Sequence, residues 1–388
     1  MKRVIGLMLV LSVIQVQAEG DAAATAAPVS ASVANEARAA LNRGLDWLVA
    51  KQAADGSWSN PDFPALTALP LWALAQSGRS ETAAIQRAVA HILTAVQPDG
   101  SICVTPREQR KGGGLCNYNT AVAMVALNAV GDPDLVPVIQ KARQVIAGSQ
   151  HLGDDMYAGG MGYDPETGRP YADLSNSYLA YEAMRLTENV EDIRKAGEQR
   201  ADLDWEAAQK FIQRVQNLPG PNDQPWASDD PAEKGGFAYK PDSSMAGSVT
   251  NADGTLRLRS YGSMTYAGLL SFIYAKVDRN DERVKSAFEW TTKHWSLDEN
   301  PGMGQQGLFY FYNVMAKALA AHGEEYIVRE DGTRVPWREA LIRKIIGLQK
   351  VEPDGTGYWV NSEGRWWEAD PVLVTSYCLL ALEVALPD

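Results

Sequence analysis

Cysteine and histidine are scarce in this chain of 388 residues, with three of the first and four of the second. His91, His151, His294 and His322 fall in or beside separate helical stretches, and none shares a cluster with a Cys. No zinc-type ligand set is legible, so no metal and no cofactor is expected. Basic residues are outnumbered, 36 Lys and Arg against 48 Asp and Glu. A net charge of −12 argues against nucleic acid as a partner and against electrostatic docking on anionic lipid. Long apolar runs are missing apart from one at the start. Lys2 and Arg3 precede an apolar run over residues 4–16, and Gln17-Ala18 follows it. That is the three-part form of a signal peptide cut after Ala18, and the run is shorter than the roughly 20 residues a span needs. The chain is therefore expected to be exported, periplasmic or secreted, with no membrane span after cleavage. Residues 19–35, rich in Ala and Ser, read as a flexible linker, and residues 36–388 as one domain.

What is present is helical and repeated. Ala37, Leu41, Leu45 and Leu48 make an apolar stripe with charges elsewhere on the helix, followed by a turn at Gln52-Ala53-Ala54-Asp55-Gly56-Ser57-Trp58. The next stretch, Leu66-Thr67-Ala68-Leu69-Pro70-Leu71-Trp72-Ala73-Leu74, carries no charge at all, which marks a helix buried on every side. The pair recurs. Charged outer helices are expected near residues 81–96, 135–149, 203–215, 282–294 and 337–348, each followed by a glycine-bearing turn and a nearly charge-free helix. Alignment of the second helices puts Thr67, Thr120, Ser177, Thr265, Tyr312 and Thr375 in register. Ser or Thr stands at five of these six positions, the hydroxyl type expected at or near a helix start. Neighbouring units must cover each other's apolar faces. Because one helix of each pair is apolar all round, the expected architecture is closed: two concentric rings of about six helix pairs.

The turns carry a resemblance. Gln52, Gly56 and Trp58 have the Gln…Gly…Trp spacing of the QW motif, and weaker copies stand at Gln97-Pro98-Asp99-Gly100, Gln150 with Gly159 to Tyr163, Gln216 with Gly235-Gly236-Phe237, and Gln349 with Gly355, Gly357 and Trp359. With the helix pairs, this resembles the prenyltransferase/squalene-cyclase repeat family over residues 36–386. The resemblance implies an all-α fold, the (α/α)6 double-ring toroid. It also implies where an acid would sit. In the triterpene cyclase members the acid lies in an Asp-x-Asp-Asp-Thr motif before an inner helix. Aligning its threonine with Ser177 puts Asp173 at the first Asp but Ser175 and Asn176 at the second and third. Since the second Asp protonates the alkene in that family, the motif is incomplete. Gly302-Met303-Gly304-Gln305-Gln306 is similar to the thioester motif of a third toroid relative, but Met303 replaces the reactive Cys and leaves a glycine-rich turn.

Candidate site residues fall into two sets. Asp173, Glu368 and Asp370 are the candidate catalytic carboxylates, each with helix capping or dipole complementation as its alternative role. Tyr118, Tyr178, Tyr181, Tyr261, Tyr310, Tyr312, Trp366 and Trp367 are the candidate cavity aromatics, able to shape an apolar pocket, steady a cation or stack on a sugar. Glu182 and Arg185, three residues apart, are expected to pair, and Lys317 to sit at a solvated helix end. Residues 188–204 read as a charged helical excursion on the surface, and residues 240–259 as a turn-rich lid over one mouth, tipped by Asn251 to Gly254. The first reading is an apolar, isoprenoid-like small molecule or lipid held in a central aromatic cavity. Alternatives are a glycan-binding or carbohydrate-active toroid using Glu368 and Asp370, and a scaffold with a filled centre.

Cys103 and Cys116 bracket residues 106–114, which contain nothing to build a core, whereas Cys378 lies in an apolar helix. One disulfide and one buried thiol are expected, and closing that loop stabilises by about 3 kcal/mol in the chain-entropy model. Thiol titration of the denatured, unreduced protein should find one free group; three would refute the pairing.

Overall fold

The computed structural model describes residues 29–104, 114–164, 171–252 and 254–387. The signal segment, most of the linker and residues 106–113 of the cysteine loop lie outside them. In chain order the helices are α1 (Ala31–Lys51), α2 (Ala65–Gln76), α3 (Thr82–Thr94), α4 (Cys116–Val130), α5 (Val136–Gly148), α6 (Leu174–Leu186), α7 (Trp205–Arg214), α8 (Gly262–Tyr274), α9 (Glu282–Lys293), α10 (Leu308–His322), α11 (Trp337–Leu348) and α12 (Pro371–Ala385). Helix α1 begins at Ala31, so the last residues of the linker are helical, and Val33 and Ala34 are buried. Three short antiparallel ribbons join the helices: β1 (Ser248–Thr250) with β2 (Leu256–Leu258), β3 (Tyr326–Val328) with β4 (Arg334–Pro336), and β5 (Lys350–Val351) with β6 (Gly357–Tyr358). Asn251, whose N–H donates to Thr255 O at 2.9 Å, sits in the tip between β1 and β2.

The even helices are the nearly charge-free ones and they pack on each other. α2 meets α4, α4 meets α6, α6 meets α8, α8 meets α10, α10 meets α12, and α12 returns to α2. Odd helices lie behind them: α3 and α5 each span the even helices on either side, α11 spans α10 and α12, and α1 spans α12 and α2. α11 also packs on α1.

Hydrogen bonds explain the repeated residues. Gln52 Nε2 donates to Gly56 O in its own turn (3.0 Å) and to Ala84 O in the next outer helix (2.9 Å). Gln150 links Gly159 O to Asp204 O, and Gln216 links Gly235 O to Arg283 O, in the same way. Gln349 donates to Ala40 O of α1 at 2.8 Å and joins the last outer helix to the first. The glycine matters where the next outer helix comes close: at Gly159 (φ 98°) a Cβ would lie 1.8 Å from Ala207 O. The aligned hydroxyls do not cap helices. They stand one turn inside, where Thr67, Thr120, Ser177, Thr265 and Thr375 accept the backbone N–H of Trp58, Ile102, Met161, Phe237 and Trp359. Each ties a turn to the inner helix that follows.

Two expectations fail here. Residues 188–204 are not a helical excursion, since only Glu188–Glu191 forms a short 3-10 turn. Nor is the segment merely surface. Arg143 of α5, 1% exposed, pairs with Glu191 at 2.7 Å and donates to Met184 O, Thr187 Oγ1 and Ala201 O. A guanidinium buried in apolar surroundings needs that full set of acceptors, and it gathers the segment around itself. Cys103 and Cys116 are bonded, with Cα atoms 5.1 Å apart, and Cys378 is free and buried.

Thr265→Val should lower unfolding free energy in urea by about 1–3 kcal/mol, because it strands the buried Phe237 N–H. Thr265→Ser keeps the oxygen and should lose less than half as much; equal losses would refute the role given to the hydroxyl.

Candidate functional site

The N-terminal ends of the even helices gather at one end of the ring, and each has its first-turn N–H groups met by a side-chain oxygen. α6 and α12 use their own N-cap residues: Asp173 Oδ1 accepts from Asn176 N, and Asp370 Oδ1 from Val372 N, both at 2.9 Å. Elsewhere the acceptor arrives from another segment. Asn119 of α4 serves Ala65 N of α2 (3.0 Å), Asp164 serves Cys116 N of α4 (2.8 Å), and Asn300 serves Ser263 N of α8 (2.9 Å). Glu368 takes Tyr310 N (2.7 Å) and Phe309 N (3.3 Å) of α10. The three candidate catalytic carboxylates thus all stand at helix starts, where the macrodipole favours a negative group.

They cap three different helices, α6, α10 and α12. Glu368, 1% exposed, also accepts from Asn361 Nδ2 at 2.7 Å; burial pushes its carboxyl up while those hydrogen bonds pull it back. Asp370 Oδ2 accepts the Ser59 hydroxyl. Asp173 is fully buried, and its Oδ2 accepts from Asn176 Nδ2 at 2.7 Å. Burial pushes its carboxyl up to about 6, against hydrogen bonds from Asn176, Tyr171 and Tyr239. Nearby the Tyr163 and Tyr239 hydroxyls lie 3.2 Å from each other, and burial with the Asp173 charge pushes the Tyr163 phenol up to about 12. Ser175, at the second motif position, faces the Tyr310 hydroxyl at 3.4 Å. Oδ1 of Asp173 is thus engaged in capping and Oδ2 by the Asn176 amide.

Further along, five of the six even helices enclose one small space. Leu69 and Trp72 of α2, Tyr118, Ala121, Val122 and Val125 of α4, Tyr178, Leu179 and Glu182 of α6, Tyr310, Asn313 and Lys317 of α10, and Tyr377 of α12 line it. The free volume is about 20 Å³, room for a single water molecule. Three tyrosines from different helices meet beside it: the Tyr118 and Tyr377 hydroxyls lie 3.5 Å apart, and Tyr310 sits edge-on to Tyr377 at 5.9 Å.

A charge pair borders the same space. Lys317 Nζ lies 2.9 Å from Glu182 Oε1 and 3.1 Å from Oε2, and 4.2 Å over the Trp72 ring. Tyr178 and Tyr274 donate to the two Glu182 oxygens at 3.2 and 3.0 Å. Burial, then the Glu182 charge, raises both phenols well above their usual range, so they remain donors. This corrects two expectations. Lys317 is not at a solvated end, its side chain being 10% exposed, and Glu182 does not pair with Arg185. Arg185 turns outward to Glu188 (3.4 Å), Tyr274 O and the Trp205 ring (3.9 Å).

Of the candidate aromatics, Tyr118, Tyr178 and Tyr310 line the cavity and the other five do not. Tyr181 donates to Gly159 O at 2.9 Å and packs on Trp205 of α7, between inner and outer helices. Tyr312 donates to Leu297 O. Tyr261 is buried just before α8, outside the lining. Trp366 and Trp367 are exterior, 41% and 49% exposed. Trp72, Asn313 and the Glu182–Lys317 pair were not singled out by the sequence pattern as cavity residues. For Asn313, Glu182 and Lys317 the one signal is a polar or charged residue inside an otherwise apolar helix. Among the described residues no group of Cys, His, Asp and Glu is arranged to hold a metal ion, and no helix is long and apolar enough to cross a membrane.

No family model matches the chain, and no curated protein matches it. Solved structures do. The type II terpene cyclase MstE from Scytonema, in complex with geranylgeranyl dihydroxybenzoate, matches with a TM-score of 0.53 at 13% identity, over 92% of this chain and 99% of that one. A GH76 alpha-mannanase from Bacteroides thetaiotaomicron matches with a TM-score of 0.52 at 10% identity, over 89% and 95%. An inactive variant of the alpha-1,6-mannanase GH76A of a Salegentibacter species, in complex with alpha-1,6-mannotriose, gives 0.50 at 11%, over 91% and 98%. These likenesses show the fold, a mostly helical chain of the alpha-alpha toroid kind.

Asp173 gives a pH test. A folded value near 6, above the unfolded 3.8, means its contribution is fully present below about pH 4 and is lost as pH rises through 6. The stability difference between wild type and Asp173→Asn should therefore change by about 2–3 kcal/mol between pH 4 and pH 7, in favour of the variant at pH 7. A difference that stays flat would show that the carboxyl is ionised throughout.

Proposed function

We propose that this chain is an exported (α/α)6 double-ring toroid of six helix-pair repeats that binds an apolar, isoprenoid-like ligand on the ring axis. The lining of the axial space carries the reading. Its aliphatic and aromatic side chains come from five helices, and its one cation and one anion neutralise each other. Such a surface offers area and π faces to a hydrocarbon and few free hydrogen-bonding groups to a polyol. The fold alone does not choose, because one matched structure holds a geranylgeranyl compound and another a mannotriose. The lining favours the first. With about 20 Å³ free, occupancy requires Tyr118 and Tyr310, both in the first turn of their helices, and Tyr377, midway along α12, to swing aside.

Binding is favoured over cyclisation. Asp173 keeps the first motif position, but its oxygens are engaged by Asn176, and Ser175 has no acidic proton to give. Glu368 and Asp370 are committed to separate helix starts, which speaks against a carboxylate pair acting on a glycosidic bond. The disulfide supports an oxidising compartment.

Native mass spectrometry with geranylgeraniol should show a one-to-one adduct and a raised melting temperature, and Leu179→Trp, which fills the axial space, should abolish both. No adduct with geranylgeraniol, or an adduct unchanged by Leu179→Trp, would overturn the axial site.

A further inference from the structure

Nine of the eleven tryptophans are buried or partly buried, and the two that are not are adjacent. Trp366 (φ 56°) and Trp367 (φ 69°) both occupy the left-handed region that L side chains rarely adopt. A strained pair of this kind persists only where its surroundings enforce it, and such pairs concentrate at ligand sites. Here the enforcement is visible. Asp370 N donates to Trp367 O at 2.8 Å, Asn361 N donates to Glu368 O at 3.0 Å, and the Glu368 carboxylate is fixed on α10. The strain is spent on holding two indoles outward, the reverse of what apolar burial alone would select.

The rings are also placed. Trp366 lies against Gly307, the residue before α10, where an added Cβ would come within 3.1 Å of the ring. Trp367 meets Phe63, two residues before α2, at 4.9 Å edge to face. The pair therefore stands at the rim, where α10, α12 and α2 begin. Arg365 rests 4.4 Å over Trp366 and donates to Gln306 Oε1, while Ser59 and Asp370 hydrogen-bond close by. Exposed ring face beside a guanidinium, an amide, a hydroxyl and a carboxylate suits a ligand with apolar C–H faces and hydroxyl edges. It suits an anionic bilayer poorly in a chain of net charge −12.

We propose that Trp366 and Trp367 form a saccharide-stacking platform on the rim of the ring, with Trp367 supplying the open face, Arg365 the adjoining hydrogen-bond donor, and neutral pyranose oligosaccharides the ligand. The platform is separate from the axial site and does not rest on it.

The test uses the full chain labelled with 5-fluorotryptophan and a panel of cello-, malto-, chito- and α-1,6-manno-hexasaccharides. At least one should bind with Kd of about 1 mM or tighter and move two of the fluorine resonances. Trp367→Ala should weaken that sugar at least tenfold, Arg365→Ala about threefold, and both variants should bind geranylgeraniol as wild type does. Should Trp367→Ala fail to fold, the wild-type fluorine shifts and Trp367→Phe, which keeps a smaller ring, still decide. No sugar-dependent shift overturns the proposal, as does sugar binding that ignores Trp367. Trp367-dependent sedimentation with phosphatidylcholine vesicles, in a protein that binds no sugar, would assign the pair to a membrane surface and overturn it too.

Discussion

Six helix starts brought to one end of a ring leave a crowd of backbone N–H groups that no helix can satisfy from within. Most of what is polar at that end answers this constraint. Asp173, Asp370 and Glu368 answer it with carboxylates, Asp164 with another, Asn119 and Asn300 with amides. Four of the six come from a different segment than the helix they cap, so the caps also stitch separate parts of the chain together. Acid groups at that end are thus what the architecture requires even of a chain that does no chemistry. A carboxylate at an inner-helix start is weak grounds for assigning catalysis in this fold, unless an oxygen is left over for a substrate.

The interior follows a second rule. Even helices must be apolar to pack on every side, and that leaves any charge between them in need of an internal partner. Glu182 and Lys317 find each other across α6 and α10, with two phenols and an indole completing the shell. Removing one partner of such a pair strands the other, typically at 3–5 kcal/mol, whereas the intact pair adds little net stability. Its consequence is neutrality on the axis.

The helices were legible in the sequence because their pattern is extreme: α2 has no charge, α9 and α11 are dense with it, and the paired turns recur with the same Gln and Gly. The expected outer helices fall within about two residues of α3, α5, α7, α9 and α11. The aligned hydroxyls were legible too, but for a different reason than capping, since a bond from Thr265 to Phe237 N cannot be seen without the turn's path. The site was poorly legible. Lys317 and Glu182 lie 135 residues apart, and nothing local distinguishes a lysine aimed at the axis from one aimed at water. Tyr181 and Tyr178 differ by less than one helical turn, yet one packs toward the outer helices and the other lines the axis. Helical phase of that fineness exceeds what apolar patterning resolves.

The bond from Gln349 to Ala40, with Ser30 N on Glu339 at 3.0 Å, makes α11 a neighbour of α1. An open array of helix pairs can be shortened or lengthened at either end, because each unit leans only on the next. A closed one has no such freedom. α1 is synthesised long before α11 and α12, and the flank it packs against them has nothing to cover it until those helices exist. The ring is finished all at once by its most distant contact, which favours slow, late consolidation and makes the first helix the one most exposed to wrong partners while it waits.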